Sequence, residues 1–355
     1  MGWGGQEHRV LAELLGFRER GSDVWLLASP DAQIYSRAAV ARIPARALDV
    51  NKLHFPFEAL RLARWLKQTR PDVLNTHSSR DGWVVGMAGR LARVPLILRT
   101  RHIEVAYPNR WVSRHAFITL ADHILTTSRK MAAHLQQTLN LPDGRVTTIP
   151  TGIDLKRFVP NGPKVELPLG NARPGAPVVG MISILRSWKG HSTFLQAARI
   201  LIDSGLAARF VIVGDGPMRQ QIESQIAELK LAEWVGLAGH VEDVPGVLRA
   251  LSVLVIASTR HEGVPQIGLQ ALAMKTPVVG SNAGGTPEII RAGETGRIFA
   301  AGDAPALGAA IRETLEAREF TEALCDRGRA LVEEKHSLDS MLDRIENLYL
   351  RYLPR

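Results

Sequence analysis

Short apolar runs alternate with helix-period segments twice along this 355-residue chain, and that rhythm constrains the fold more than any single residue. In the first half, residues 24–28, 72–76, 96–100 and 124–126 read as strands. Helical patterns occupy 56–70, 82–93 and about 129–139. Strands read next at 178–184, 210–213, 253–257 and 277–280, with helices between them. Strands that alternate with helices form parallel sheets covered on both faces, so the fold class is α/β. Residues 320–352 read as two further helices.

The rhythm breaks once. Residues 156–177 hold Pro160, Pro163, Pro168, Pro174 and Pro177 with no apolar period, which reads as an interdomain linker. The expected division is therefore 1–155, a linker at 156–177, 178–335, and a terminal helix over 336–355. A chain of this length suits two cores better than one. One cysteine, Cys325, excludes an internal disulfide, fits a reducing compartment, and reads as a half-buried helix residue. No apolar run reaches the roughly 18 residues of a membrane span, and the N-terminus lacks the pattern of a signal peptide. The expected location is cytoplasmic. Of the net charge of +9, residues 1–155 carry +8. A basic first half points to an anionic partner: a phosphorylated glycolipid, an anionic leaflet or nucleic acid.

The densest chemistry begins at His261, in HEGVPQIGLQALA followed by MKTPVVGSNAGGTPEII. An apolar strand ends near Ser258, Glu262 follows in a Gly-Pro turn, and a helix starts near Gln266. Glu262 then sits beside a helix N-terminus, where free amides and the positive dipole end suit phosphate or hydroxyl-rich groups. A helix-capping role explains the carboxylate equally well. Upstream, ILRSWKGH places Arg186 and Lys189 just past a strand, where two cations hold a diphosphate or form a solvated basic turn. VGDGP, which contains Gly214, and GHVEDVP, which contains Val241, are further turns.

These segments, in this order, resemble the nucleotide-sugar site of retaining GT-B glycosyltransferases of family four, over nearly the whole chain and most strongly from Val178 to Gly296. The resemblance implies two Rossmann-like domains facing across a cleft, with the C-terminal helix crossing back to the first domain. It implies transfer of a sugar from a nucleotide diphosphate sugar to a glycan or glycolipid, in cell-surface polysaccharide or lipopolysaccharide synthesis, with retained anomeric configuration. Glu262 would orient sugar hydroxyls, His102 would contact the transferred sugar, and Lys189 with Arg186 would stabilise the diphosphate. Gly4, Gly5, Gly214, Val241, Gly263, Val264, Pro265, Gln266 and Gln270 would border the donor. His77, Arg110 and Trp111 are the acceptor candidates, on a basic half that could also touch an anionic membrane.

The chain departs from the pattern in three places. Gln270 stands where the family has a second Glu, and an amide can still hold ribose hydroxyls. Ile184 stands where the family Arg falls. No apolar strand precedes the Gly4-Gly5 turn, so either the natural chain carries an N-terminal extension, as the cost of exposing neighbouring strand edges predicts, or the sheet lacks its first strand. No Asp-x-Asp and no Cys/His cluster with zinc spacing occurs, so no catalytic metal and no cofactor are expected. Two aromatic-basic stretches, around Trp65 and around Trp111, suit either a membrane interface or ordinary packing. Three other readings compete: a sugar-nucleotide epimerase of the same fold, a nucleic-acid binder, and a catalytically weak homologue kept for binding.

Overall fold

A computed structural model gives the fold and describes residues 4–49, 51, 54–102, 110–169, 175–260 and 263–353. The chain divides into two compact units, one of residues up to Gly152 together with those from Leu338, the other Ile153–Ser337.

In the first unit the order is α1 (Gly5–Glu19), β1 (Leu26–Ala28), α2 (Gln33–Val40), β2 (Ala45–Ala47), α3 (Phe55–Thr69), β3 (Val73–Thr76), α4 (Asp81–Ala92), β4 (Leu96–Arg101), α5 (Arg110–Thr119), β5 (His123–Thr126), α6 (Arg129–Leu139) and β6 (Val146–Thr148). Strands β3 to β6 form one parallel sheet in sequence order, and β1 pairs in parallel with β2. Successive side chains of a strand face opposite ways. So Leu96 and Leu98 join one core cluster with Leu125, while Ile97 joins another with Leu62, Leu66 and Leu74.

The second unit runs β7 (Val178–Ile182), α7 (His191–Asp203), β8 (Arg209–Val213), α8 (Arg219–Glu228), β9 (Val235–Gly239), α9 (Val244–Ala250), β10 (Val253–Ile256), α10 (Gln266–Ala273), β11 (Val278–Ser281), β12 (Arg297–Phe299), α11 (Ala304–Glu316) and α12 (Arg318–Lys335). Its six strands are all parallel, in the order β12-β11-β10-β7-β8-β9. Strand β10 is buried at every position, as a central parallel strand must be. Val253 and Val255 enter the cluster of Phe194 and Phe210, and Leu254 and Ile256 enter the opposite one with Leu269 and Leu272. Helix starts follow local chemistry: Ser128 accepts from Met131 N–H (3.1 Å), and Asp243 accepts from Gly246 N–H (2.9 Å).

The last helix, α13 (Leu338–Tyr352), returns to the first unit. Met341, Leu342, Ile345 and Leu348 bury against Phe17 of α1, and Tyr349 stacks on Phe17 at 5.4 Å. Arg20, just past α1, holds Glu346 (2.8 Å) and Asp343 (2.7 Å) of α13.

Three expectations meet particular answers here. The proline-rich segment was read as a linker, yet the units meet in sequence at Gly152–Ile153 and residues 156–169 belong to the second unit. Phe158 and Leu167 between the prolines are buried, and Val165 N–H bonds Gly246 (3.1 Å). In the first unit, among the described residues, β1 pairs only with β2, and β3 pairs on one side only, with β4. The sheet therefore lies in two pieces, although Leu27 of β1 packs on the cluster that contains Leu74 of β3. The aromatic-basic helix α3 packs one face on its own sheet and leaves the other exposed. Leu62, Ala63 and Leu66 are core, while Phe57 and Leu60 stay exposed with Arg61, Arg64 and Lys67 on the outer side.

Candidate active site

In the second unit the chain lays down β7, β8 and β9 to one side, then returns to place β10 beside β7 and continues outward to β12. Loops that leave two neighbouring strands in opposite directions open a crevice at their C-terminal ends, where ligands of such sheets bind. The two loops at this switch point are 183–190 and 257–265, and they carry Arg186, Lys189, Gly263, Val264 and Pro265.

Backbone contacts fix these loops. Leu185 N–H donates to Asp215 (3.0 Å) and Met218 N–H to Leu185 (3.1 Å), joining the loops after β7 and β8. Thr259 N–H donates to Trp188 (2.8 Å), joining the loops after β7 and β10. Ser281 Oγ donates to the Ser258 carbonyl (2.6 Å), joining β11 to the end of β10. Two glycines make the approach possible. Gly190 (φ 77°) and Gly214 (φ 133°) lie so close to the carbonyls of Ala257 and Ser183, respectively, that a Cβ on either would overlap them. Gly285, in the Gly-Gly turn after β11, leaves room for the backbone of Gly263 and Val264.

Helix α7 opens at Gly190, one residue past Lys189, and α10 opens at Pro265. Both helix N-termini therefore start from the loops of the crevice, with amides and the positive dipole end suited to an anion. Lys189 is half-buried, and Arg186 is exposed with its guanidinium 5.7 Å from the Trp188 ring. Gln266 and Gln270 occupy α10, half-buried, and Ile184 is 43% exposed at the position of the missing family Arg. Val241 follows β9 and is half-buried against the core. His261 and Glu262, the latter the carboxylate expected to orient the sugar, lie outside the described residues. A surface hollow of about 320 Å³ at the opposite end of this sheet, lined by Lys164, Arg249 and Lys275, contains none of these residues.

His191 went unnoticed in the sequence. It is the first residue of α7, buried, and its Nε2 lies 3.1 Å from Ser183 Oγ. Burial, with the Lys189 charge adding to it, pushes its pKa down to about 4. The ring is neutral at pH 7, so the cationic charge of the loop comes from Lys189 and Arg186. The sequence signal for it is the WKGH run, which puts a histidine directly after the Gly190 turn.

In the first unit, His77 follows β3 and His102 follows β4, and the structure brings them together. His77 Nδ1 lies 3.0 Å from His102 Nε2, with the rings stacked at 5.3 Å. Asp81 anchors the first ring by accepting from the backbone N–H groups of His77 (3.0 Å) and Ser78 (2.8 Å). Desolvation pushes both pKa values below the ordinary value, well below it for His102, where His77, Arg9 and Arg101 add repulsion. The expected acceptor residue His77 is thus a partner of His102. Gly4 caps α1 and Gly5 begins it, and Gly4 N–H donates to Glu7 Oε2 (3.0 Å). Trp111 is 81% exposed on α5, and no contact joins it to the histidine pair among the described residues. Arg110 opens the same helix. Phe117, read with them as one patch, is core, beneath Arg99 at 4.2 Å.

Four histidines held neutral make stability depend on pH. His123 and His191 titrate at about 4 in the fold, and His77 and His102 are also lowered. In the unfolded chain each takes a proton near 6.5. The unfolded state then binds more protons below that pH, so stability is full above about 6.5 and is lost as pH falls towards about 4. Each group contributes at most about 1.4 kcal/mol per pH unit. Calorimetry is expected to show a Tm that falls as pH drops below about 6.5 towards 5, and a flat profile there would contradict the neutral histidines.

Cys325 is buried with its pKa raised to about 11, an inert thiol. Among the described residues, no group of three acidic, His or Cys side chains could hold a metal, and no helix is long and apolar enough to cross a membrane.

Comparison with known proteins places this geometry. The Escherichia coli UDP-Gal:alpha-D-GlcNAc-diphosphoundecaprenol alpha-1,3-galactosyltransferase is 25% identical over 332 residues, covering 87% of this chain and 82% of that protein. The Staphylococcus aureus capsular polysaccharide biosynthesis glycosyltransferase CapM is 22% identical, over 95% of this chain and 92% of its own. A solved glycosyltransferase of Rickettsia africae matches with a TM-score of 0.86 at 20% identity, over 98% of this chain and 95% of that one. Anabaena HepE, solved with UDP and glucose, matches with a TM-score of 0.83 at 18% identity, over 98% and 96%. Family models match along most of the sequence: "Glycosyltransferase Family 4" at residues 3–157 and "Glycosyl transferases group 1" at residues 176–317. The chain therefore belongs to the group 1, family 4 glycosyltransferases of GT-B fold.

Proposed function

We propose that this glycosyltransferase moves a hexose from a UDP-sugar to a glycan or glycolipid acceptor in cell-surface polysaccharide synthesis, with retention of configuration. The observation that carries the reading is the convergence of Lys189, Arg186 and the start of α7 at the switch point of the second sheet. A diphosphate is the group such a loop fits best, and its charge grows as the sugar leaves. In this reading Lys189 and Arg186 meet that charge, Glu262 orients the sugar hydroxyls, and His102 contacts the transferred sugar. The retained-configuration route has the leaving phosphate take the acceptor proton on the same face, which asks for fixed cations on the diphosphate rather than for a protein base beneath the sugar. The choice of UDP is supported by a relative named for UDP-Gal and by a fold neighbour solved with UDP.

A thermal-shift screen of UDP-, GDP- and ADP-hexoses tests it. The true donor at 100 times its Kd is expected to stabilise the fold by about 2.7 kcal/mol. Absence of any shift with all three would defeat the reading. Gln270 and Ile184 support a second possibility, a homologue that binds donor with little turnover. Stabilisation without product in the presence of acceptor would favour it, and a changed sugar without acceptor would favour an epimerase.

A further inference from the structure

We propose that the C-terminal edge of the β3–β6 sheet holds a phosphate group of the acceptor, gripped by Arg101 and Ser79. The proposal rests on the glycosyltransferase reading and names the chemical class of the second substrate.

Arg101 is the last residue of β4 and is only 4% exposed. A guanidinium removed from water is unfavourable unless an anion or several hydrogen bonds replace its hydration. Two other buried arginines of this chain have an anionic partner. Arg9 holds Glu13 at 2.6 Å and Arg297 holds Glu313 at 3.0 Å. Arg101 differs from them. Its Nη1 donates to Ser79 Oγ at 3.3 Å and its Nε, like that of Arg297, has no hydrogen-bond partner, but unlike Arg9 and Arg297 it makes no ion pair among the described residues. The acid closest in sequence to Ser79, Asp81, already has its two oxygens on the backbone of His77 and Ser78.

What surrounds Arg101 favours an anion. Ser79 is exposed, so the guanidinium lies one side chain below solvent. It stands in the turn that opens α4, a helix of 12 residues, where the dipole adds positive potential. Arg80, exposed, adds a cation to the same turn. His102, next in the chain, is held neutral and brings no competing charge. Most of the net charge also sits in this half of the sequence, +8 of +9. A planar fork of donors beside a hydroxyl and a helix N-terminus matches the tetrahedral oxygens of a phosphate. A sugar phosphate and a lipid-linked diphosphate share that chemistry.

The test uses the full chain with saturating UDP, which occupies phosphate-binding groups of the second unit. Glucose 1-phosphate and geranyl diphosphate are titrated separately by calorimetry. At least one is expected to bind, at least tenfold more weakly to Arg101→Gln, with Arg101→Lys in between because it keeps charge and loses the fork. The tighter probe identifies the source, sugar phosphate or prenyl diphosphate. Failure of both probes to bind the parent chain, or equal binding by Arg101→Gln, overturns the proposal. Should Arg101→Gln not unfold cooperatively, Ser79→Ala replaces it, and phosphate binding unchanged in that variant overturns the proposal as well. The UDP-hexose shift in Tm is read on separate samples of the same preparations without UDP. Its loss in the parent chain would count against the donor reading and leave Arg101-dependent phosphate binding standing.

Discussion

Gly190→Ala is expected to destabilise the second unit by about 2–5 kcal/mol and to remove donor binding. Two separate costs add at this position. Gly190 sits in the left-handed region at φ 77°, ψ 29°, which an alanine occupies at a cost of about 1–2 kcal/mol. Its new methyl would also run into the carbonyl of Ala257, at the end of β10. That carbonyl is backbone and cannot rotate away, so the loop after β7 must lift off, at a further cost of about 1–3 kcal/mol. Lifting it shifts Lys189 on one side and the first turn of α7 on the other, the two things the diphosphate would touch. Gly205→Ala separates the costs. Gly205 has φ 81° and nothing within 4 Å of a built Cβ, so only backbone strain is added. Urea unfolding followed at Trp188 and Trp234 checks both variants. If Gly190→Ala unfolds within 0.5 kcal/mol of Gly205→Ala, a threshold below the ~1 kcal/mol floor of the overlap cost, the packing of this loop on β10 is not what holds it.

The sequence made the second unit more legible than the first, for reasons visible in particular residues. Runs such as Val253–Ile256 are apolar on both faces because they are central in a parallel sheet, and that pattern is local. Strands β2 and β6, reading ARA and VTT, are short and part-exposed, and no periodicity marks them. Prolines announced a linker where Phe158 and Leu167 bury between them, because a proline count says nothing of what the intervening side chains touch. The Lys189-Gly190 and Gly284-Gly285 turns were readable since their constraint is backbone conformation within a few residues. The Ser183–His191 and Thr259–Trp188 bonds were not, since they depend on where loops meet in space. The histidine pair falls between these cases. Both rings were placed at strand ends by sequence, but their 3.0 Å contact follows from the β3–β4 register, which sets Thr76 against Arg99. Arg101 ends an apolar run, where an arginine looks like solvated surface until the neighbouring strands bury it.

Lys189→Ala is expected to lower the rate of sugar transfer by about 10²–10³ and to raise KM for the donor, with Lys189→Arg recovering part of the loss. The size follows from how few cations the loop supplies. Arg186 is exposed and screened by water, so Arg186→Ala is expected to cost only about tenfold, closer to a surface contact. Burial, and after it the Lys189 charge, lowers the His191 pKa to about 4, so the ring carries no charge in the working range. It cannot replace the lost ammonium at pH 7, and the deficit of Lys189→Ala should stay constant from pH 8 to pH 6. Were His191 cationic, the variant would recover as pH falls towards 6, and that result would reverse the assignment of charge in this loop. A Lys189→Ala enzyme within threefold of the parent rate at saturating donor would place the diphosphate on the helix amides alone, and Lys189 would then be a packing residue of the β7–α7 turn.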